Sequence, residues 1–123
     1  MLDETLTAEE RAVVEKAKAF AAEHVAPHAA RWEWERHYPY ETIKLACAAG
    51  LNRIELAKQH GGQGLSFSCK LRAFEEIAKA DFAFSFALIN HHNACARFAR
   101  DGKPAHVARL LPRMLSEIGR AHV

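Results

Sequence analysis

Histidine, asparagine and cysteine crowd into one stretch of this sequence. Residues 82–96 read FAFSFALINHHNACA and carry Asn90, His91, His92, Asn93 and Cys95 without a single Asp, Glu, Lys or Arg. His91 and Cys95 stand one helical turn apart, a spacing at which imidazole and thiolate can share a metal. Two ligands do not complete a site, and neither H-E-x-x-H nor a carboxylate at matching spacing accompanies them, so no metal is expected. Glu75 and Glu76 are adjacent and point apart on a helix, which fits a solvated or salt-bridged face better than an acid/base pair. Gly61-Gly62-Gln63-Gly64 lacks the Lys-Ser/Thr of a phosphate loop and does not match G-x-G-x-x-G after a strand. It reads as a structural turn, because glycine is the default wherever the backbone takes positive φ. No Ser-His-Asp or Cys-His arrangement follows from spacing, and the residues by themselves define no catalytic centre.

A segment as apolar as residues 82–96 belongs in the middle of a helical bundle, where other elements cover it. Its second half nevertheless carries Asn90, His91, His92 and Asn93, which are costly to bury without partners. Two readings stay open: a core helix with a satisfied polar patch, or a core helix that lines something.

The elements around it follow from local signals. Thr7-Ala8-Glu9-Glu10 forms a capping box. Val13, Val14, Ala17, Phe20, Ala21 and Val25 then recur at helical spacing until Pro27 stops or kinks the helix near Ala26. Helix resumes over residues 28–36, with Trp32 and Trp34 on different faces, one for the core and the other for an edge or a partner. Tyr38-Pro39 opens the next helix, whose stripe is Ile43, Ala46 and Cys47, and Gly50 supplies its left-handed end with Leu51 as the following hydrophobic contact. Periodicity is lost over residues 52–65. Ser66 or Ser68 caps a helix expected to turn Leu71, Phe74, Ile77 and Ala78 inward and Lys70, Arg72, Glu76 and Lys79 outward. Asp81 caps the long helix, which ends at Gly102. Pro104 starts a last helix to about Met114, distorted at Leu111-Pro112. The fold class expected is all-α: a five- to six-helix bundle with one Gly-rich loop.

Composition narrows the function classes. The 123 residues make one domain large enough for a real core. Seventeen Lys+Arg against 15 Asp+Glu, interspersed, leave a net charge of +2 and no nucleic-acid footprint. Cys47, Cys69 and Cys95 are odd in number and far apart, and read as small buried hydrophobes in a reducing compartment. Asp3 and Glu4 exclude a basic secretory start, and the apolar run is broken by Asn and His, so neither a signal nor a membrane span is expected. A soluble cytoplasmic helical domain is the expectation.

Read in order, the punctuation resembles the N-terminal domain of the acyl-CoA dehydrogenases. The resemblance is carried by Leu6-Thr7-x-Glu9-Glu10, Val25-Ala26-Pro27, Tyr38-Pro39 and Ala49-Gly50-Leu51. It continues through His60-Gly61-Gly62-Gln63-Gly64-Leu65, Glu75-Glu76-Ile77-Ala78, and Gly102 followed by Leu111-Pro112 and Met114. No single element is specific; their joint register over residues 6–116 is. Ala57, Asn52-Arg53, Ala83 and His106 depart from the family's usual residues. The resemblance implies a flavoenzyme in which FAD accepts a hydride from the β-carbon of an acyl-CoA while a glutamate of another domain takes the α-proton. Most flavin contacts would also come from other domains. It further implies electron-transfer flavoprotein as acceptor and a homo-oligomer, commonly a tetramer. For this chain it implies one wall of the acyl pocket, lined by Ser85, Phe86, Ile89, Asn90 and Asn93, with no catalytic residue and no activity alone. Phe86 and Ile89 would narrow such a pocket, and Asn90 and Asn93 would suit a polar or branched short acyl group. A non-catalytic helical module binding a small molecule or a protein through the same helix is the rival reading.

The domain is expected to occupy residues 1–116. Residues 117–123, EIGRAHV, back-translate to a common sequencing-adapter sequence and are expected to be a non-native tail.

Overall fold

The computed structural model describes residues 5–116, so the expected tail lies outside the described residues. The chain forms α1 (Ala8–Phe20), a π-helical turn (Ala21–Val25), α2 (Ala29–Glu35), α3 (Tyr40–Ala48), a short 3-10 turn (Lys58–His60), α4 (Phe67–Ala80), α5 (Phe82–Asp101) and α6 (Pro104–Ser116). No strand occurs among the described residues, and the architecture is the all-α bundle that the pattern predicts. Among the described residues no helix is long and apolar enough to cross a membrane.

Local chemistry sets the boundaries. At the start of α1 the Glu10 N–H donates to Thr7 Oγ1 and the Thr7 N–H donates back to Glu10 Oε1, at 3.1 and 3.0 Å. Pro27 has no N–H to offer the preceding turn, and the helix widens before it: the Ala26 N–H reaches back five residues to the Ala21 carbonyl at 2.8 Å. Gly50, at φ +84°, ends α3. Its N–H bonds to the Cys47 carbonyl and that of Leu51 to Ala46, which buries Leu51 under the helix end.

The main core joins Val14, Ala17, Phe20 and Val25 to Trp32, Ile43, Ala46, Ala73, Phe74, Ile77, Phe84 and Leu88. Ala17 of α1 and Ala73 of α4 are both fully buried, and these small side chains let the two helices pack over their length. Trp32 stacks on Phe84 at 5.7 Å, whereas Trp34 is 87% exposed. A second cluster, Leu56, Cys95, Ala99, Val107, Leu111 and Leu115, fixes α6 against α5.

Two expectations are corrected. The last helix continues through Pro112 to Ser116. Proline removes one N–H from the ladder, but the helix end is held from outside: Asn52 Nδ2 and Arg53 Nη2 donate to the Leu115 carbonyl at 2.9 and 3.0 Å. In α4, Lys70 and Glu76 are buried, while Leu71, expected inside, is 38% exposed. The buried row is 70, 73, 74 and 77, one helical face in which a lysine takes an inward position.

Candidate functional site

α5 and the helix beside it are each started by a side-chain cap. Asp81 Oδ1 accepts the Ala83 N–H at 3.0 Å and starts the helix; Ser66 starts α4 beside it by accepting from Cys69. α5 lies along α4, burying Phe84, Ser85, Leu88, His91, His92 and Cys95.

The candidate residues divide across that helix. Phe86, Asn90 and Asn93 are exposed, Ile89 is half-buried against the main core, and Phe82 joins the exposed side by stacking on Phe86 at 5.9 Å. Ser85 turns inward, where its hydroxyl donates to the Phe74 carbonyl at 2.8 Å and ties α5 to α4. The structure therefore brings Phe86, Ile89, Asn90 and Asn93 together on one open strip and sets Ser85 at its inner edge. A separate shallow groove of about 250 Å³, lined by Trp32, Tyr38, Pro39, Phe84 and Ala87 among others, includes none of these five.

Beneath Asn93 lies a polar cluster. The Lys70 ammonium, in a residue only 5% exposed, makes a 2.7 Å ion pair with Glu55 and donates to Asn93 Oδ1 at 3.0 Å, with the Phe67 ring 4.8 Å from its charge. Beside it the fully buried His92 accepts the Glu55 N–H at Nε2, 3.1 Å away, which anchors residues 52–65 to α5. His92 Nδ1 is buried without a hydrogen bond of good geometry. Burial, reinforced by the Lys70 charge, depresses the imidazole to about 4, and Glu55 and the Asn93 amide only partly oppose this. Lys70 is inside where the sequence pattern places it outward, and His92, marked there only as costly to bury without a partner, finds one. The α4 periodicity held a signal for Lys70, three, four and seven residues before buried Ala73, Phe74 and Ile77. The partner of His92 is a loop N–H that no pattern marks.

The other candidates resolve into structure. His91 Nε2 and Cys95 Sγ approach to 3.8 Å within the core, and among the described residues no three His, Cys, Asp or Glu side chains gather as a metal site. All three cysteines are free and buried, and burial pushes each thiol up to about 11. Burial would raise the Glu76 carboxyl, but hydrogen bonds and charge from Lys79 and Arg72 leave it below its ordinary value, so it is a salt-bridged carboxylate. In the glycine loop, the N–H groups of Gly62, Gln63 and Gly64 bond to the carbonyls of Ala57, Arg53 and Leu56. They are engaged by the chain itself and form no phosphate cradle.

Comparison with known proteins adds a sequence relationship to this geometry. The family model described as "Acyl-CoA dehydrogenase, N-terminal domain" matches residues 7–117. Mitochondrial isovaleryl-CoA dehydrogenase of Oryza sativa subsp. japonica is 31% identical over 105 residues, 83% of this chain and 26% of that protein. Mitochondrial isobutyryl-CoA dehydrogenase of Dictyostelium discoideum is 32% identical over 91 residues, 74% of this chain and 22% of its own length. The 3-sulfinopropanoyl-CoA desulfinase of Paraburkholderia xenovorans is 26% identical over 110 residues, 86% of this chain and 28% of its own. The chain spans roughly a quarter of the length of these relatives.

Proposed function

This chain belongs to the acyl-CoA dehydrogenase family as its N-terminal helical domain, and from that premise we propose that it supplies one wall of the acyl pocket in an FAD-dependent enzyme. The enzyme's reaction is α,β-dehydrogenation of an acyl-CoA thioester, and this chain alone is inactive. The observation that carries the reading is the open strip of Phe86, Ile89, Asn90 and Asn93 on a helix whose other face packs into the core. The substrate is a short acyl-CoA, branched or polar, which suits two asparagines set beside bulky Phe86 and Ile89. The relatives named for isovaleryl, isobutyryl and 3-sulfinopropanoyl thioesters act on acyl groups of that size.

FAD is the cofactor the family implies, and the described residues do not fit it. Their one glycine-rich loop has its N–H groups engaged internally. No chemical step is therefore assigned to this chain; its part is to bind and orient the acyl group. The same proposal places the whole protein in the cytoplasm as a homo-oligomer delivering electrons to electron-transfer flavoprotein, and three buried free thiols suit such a reducing compartment.

The test is spectroscopic. Full-length enzyme containing this domain is expected to be yellow and to bleach anaerobically with a short acyl-CoA, whereas the 123-residue chain turns over none. A colourless full-length protein, or a flavin that no acyl-CoA reduces, would overturn the assignment in favour of a helical binding module.

A further inference from the structure

An ammonium buried as deeply as that of Lys70 is costly unless its charge is paired, and the structure pairs it on both sides of the site. Glu55, from the loop of residues 52–65, takes the charge at 2.7 Å; Asn93, from the open strip of α5, takes a hydrogen bond at 3.0 Å. That hydrogen bond has a direction. A lysine ammonium can only donate, so it holds the amide by its oxygen, and the amide nitrogen is the end that Asn93 is left to present. Without Lys70 the same amide could turn over and offer an acceptor.

We infer that Lys70 is a positioning residue that fixes Asn93 with its N–H groups toward the acyl strip, and that the acyl group selected there carries an oxygen acceptor such as a ketone or carboxylate. This rests on the reading of α5 as an acyl-pocket wall and names the substrate class for it. Glu55 belongs to the device: it neutralises Lys70, so what the strip shows the substrate is an oriented amide donor instead of a bare cation. A donor that the bound acyl chain covers favours a chain that accepts its hydrogen bond over an apolar chain that leaves it unmatched.

The experiment compares pentanoyl-CoA with 4-oxopentanoyl-CoA on the full-length enzyme, reading the ratio of their kcat/KM values. Wild type is expected to favour the oxo substrate. Lys70→Met should lower the ratio by up to about tenfold, the worth of one neutral hydrogen bond. Lys70→Arg, which can still donate to the amide oxygen, should keep it. Asn93→Asp keeps an oxygen for Lys70 to donate to and removes both amide donors, so it should lose the preference for the oxo substrate even if Lys70→Met fails to fold. A defect of packing alone would lower both rates together and leave the ratio unmoved. A wild-type preference for pentanoyl-CoA, or ratios within twofold of wild type in both Lys70→Met and Asn93→Asp, overturns the inference while the wall assignment stands. Wild-type enzyme that reduces its flavin with neither thioester overturns both.

Discussion

His92 is enclosed on all sides and its Nε2 accepts the Glu55 N–H, so the ring is neutral in the folded protein. Its folded value lies near 4, against 6.5 for an ordinary imidazole. Between those values the unfolded chain holds a proton that the folded chain refuses. Stability therefore falls as pH drops from about 6.5 to about 4 and loses nothing more through this group below that, a loss on the order of 3 kcal/mol. Glu10 adds a second, lower window. Hydrogen bonds from Ser66 and Thr7 hold its carboxyl down to about 2, so its contribution is complete above about 4.5 and disappears as pH falls toward 2. His92→Gln can still accept from Glu55 but cannot titrate. Urea unfolding at pH 7 and pH 4.5 should show the gap between wild type and this variant narrowing at the lower pH. Parallel curves would mean that the ring takes up its proton as readily in the fold as in the unfolded chain. Glu10→Gln should narrow its own gap only between pH 4.5 and 2.

At the scale of elements, the segment joining α3 to α4 is the part whose conformation depends most on single atoms. A Cβ built on Gly62 would lie 2.0 Å from the Leu56 carbonyl oxygen, so Gly62→Ala must push one backbone away from another. At Gly61 the nearest obstacle is Leu115 Cδ1 at 3.9 Å, and the only penalty is a side chain at φ +89°. Gly62→Ala is expected to cost at least about 2 kcal/mol and Gly61→Ala about 1 kcal/mol. Thermal melts of the two variants check the order, and its reversal would show that left-handed strain governs the loop more than close approach does. Helix ends were legible in the sequence because a cap and the N–H it serves are a few residues apart. Thr7 with Glu10, Asp81 with Ala83, and Gly50 with Leu51 each carry their own instructions. What could not be read is what depends on another element. Lys70 is inside because Glu55 and Asn93 are there to meet it, and α6 runs past Pro112 because Asn52 and Arg53 both reach the Leu115 carbonyl. Asn52 and Arg53 are among the residues that depart from the usual family pattern, and their work in the structure is this cap. The candidate strip was half legible. Helical spacing groups Phe86, Ile89, Asn90 and Asn93, but spacing alone does not say that Ser85, at the border of the arc, turns toward the Phe74 carbonyl.

At the scale of the whole molecule, the bundle covers α5 on one side and leaves it open on the other. Phe82 is 70% and Phe86 56% exposed, and the two rings stack on each other outside the core clusters of the described residues. Two adjacent bare phenylalanines beside a half-buried isoleucine are an apolar patch of the kind that drives association when nothing covers it. The isolated chain is therefore expected to self-associate as its concentration rises through the micromolar range. Replacing both rings, Phe82→Ser with Phe86→Ser, should restore a monomer in analytical ultracentrifugation. Because neither ring supports the core clusters, the helical circular-dichroism signal should be unchanged. The full-length enzyme gives the opposite reading of the same variant. If the strip faces an acyl group, the double substitution should raise KM for a short acyl-CoA several-fold through the loss of apolar contact, about 1–2 kcal/mol for one large side chain partly buried by a ligand. A chain that stays monomeric with both rings in place, together with an enzyme whose KM ignores their removal, would show that this side of α5 meets only water.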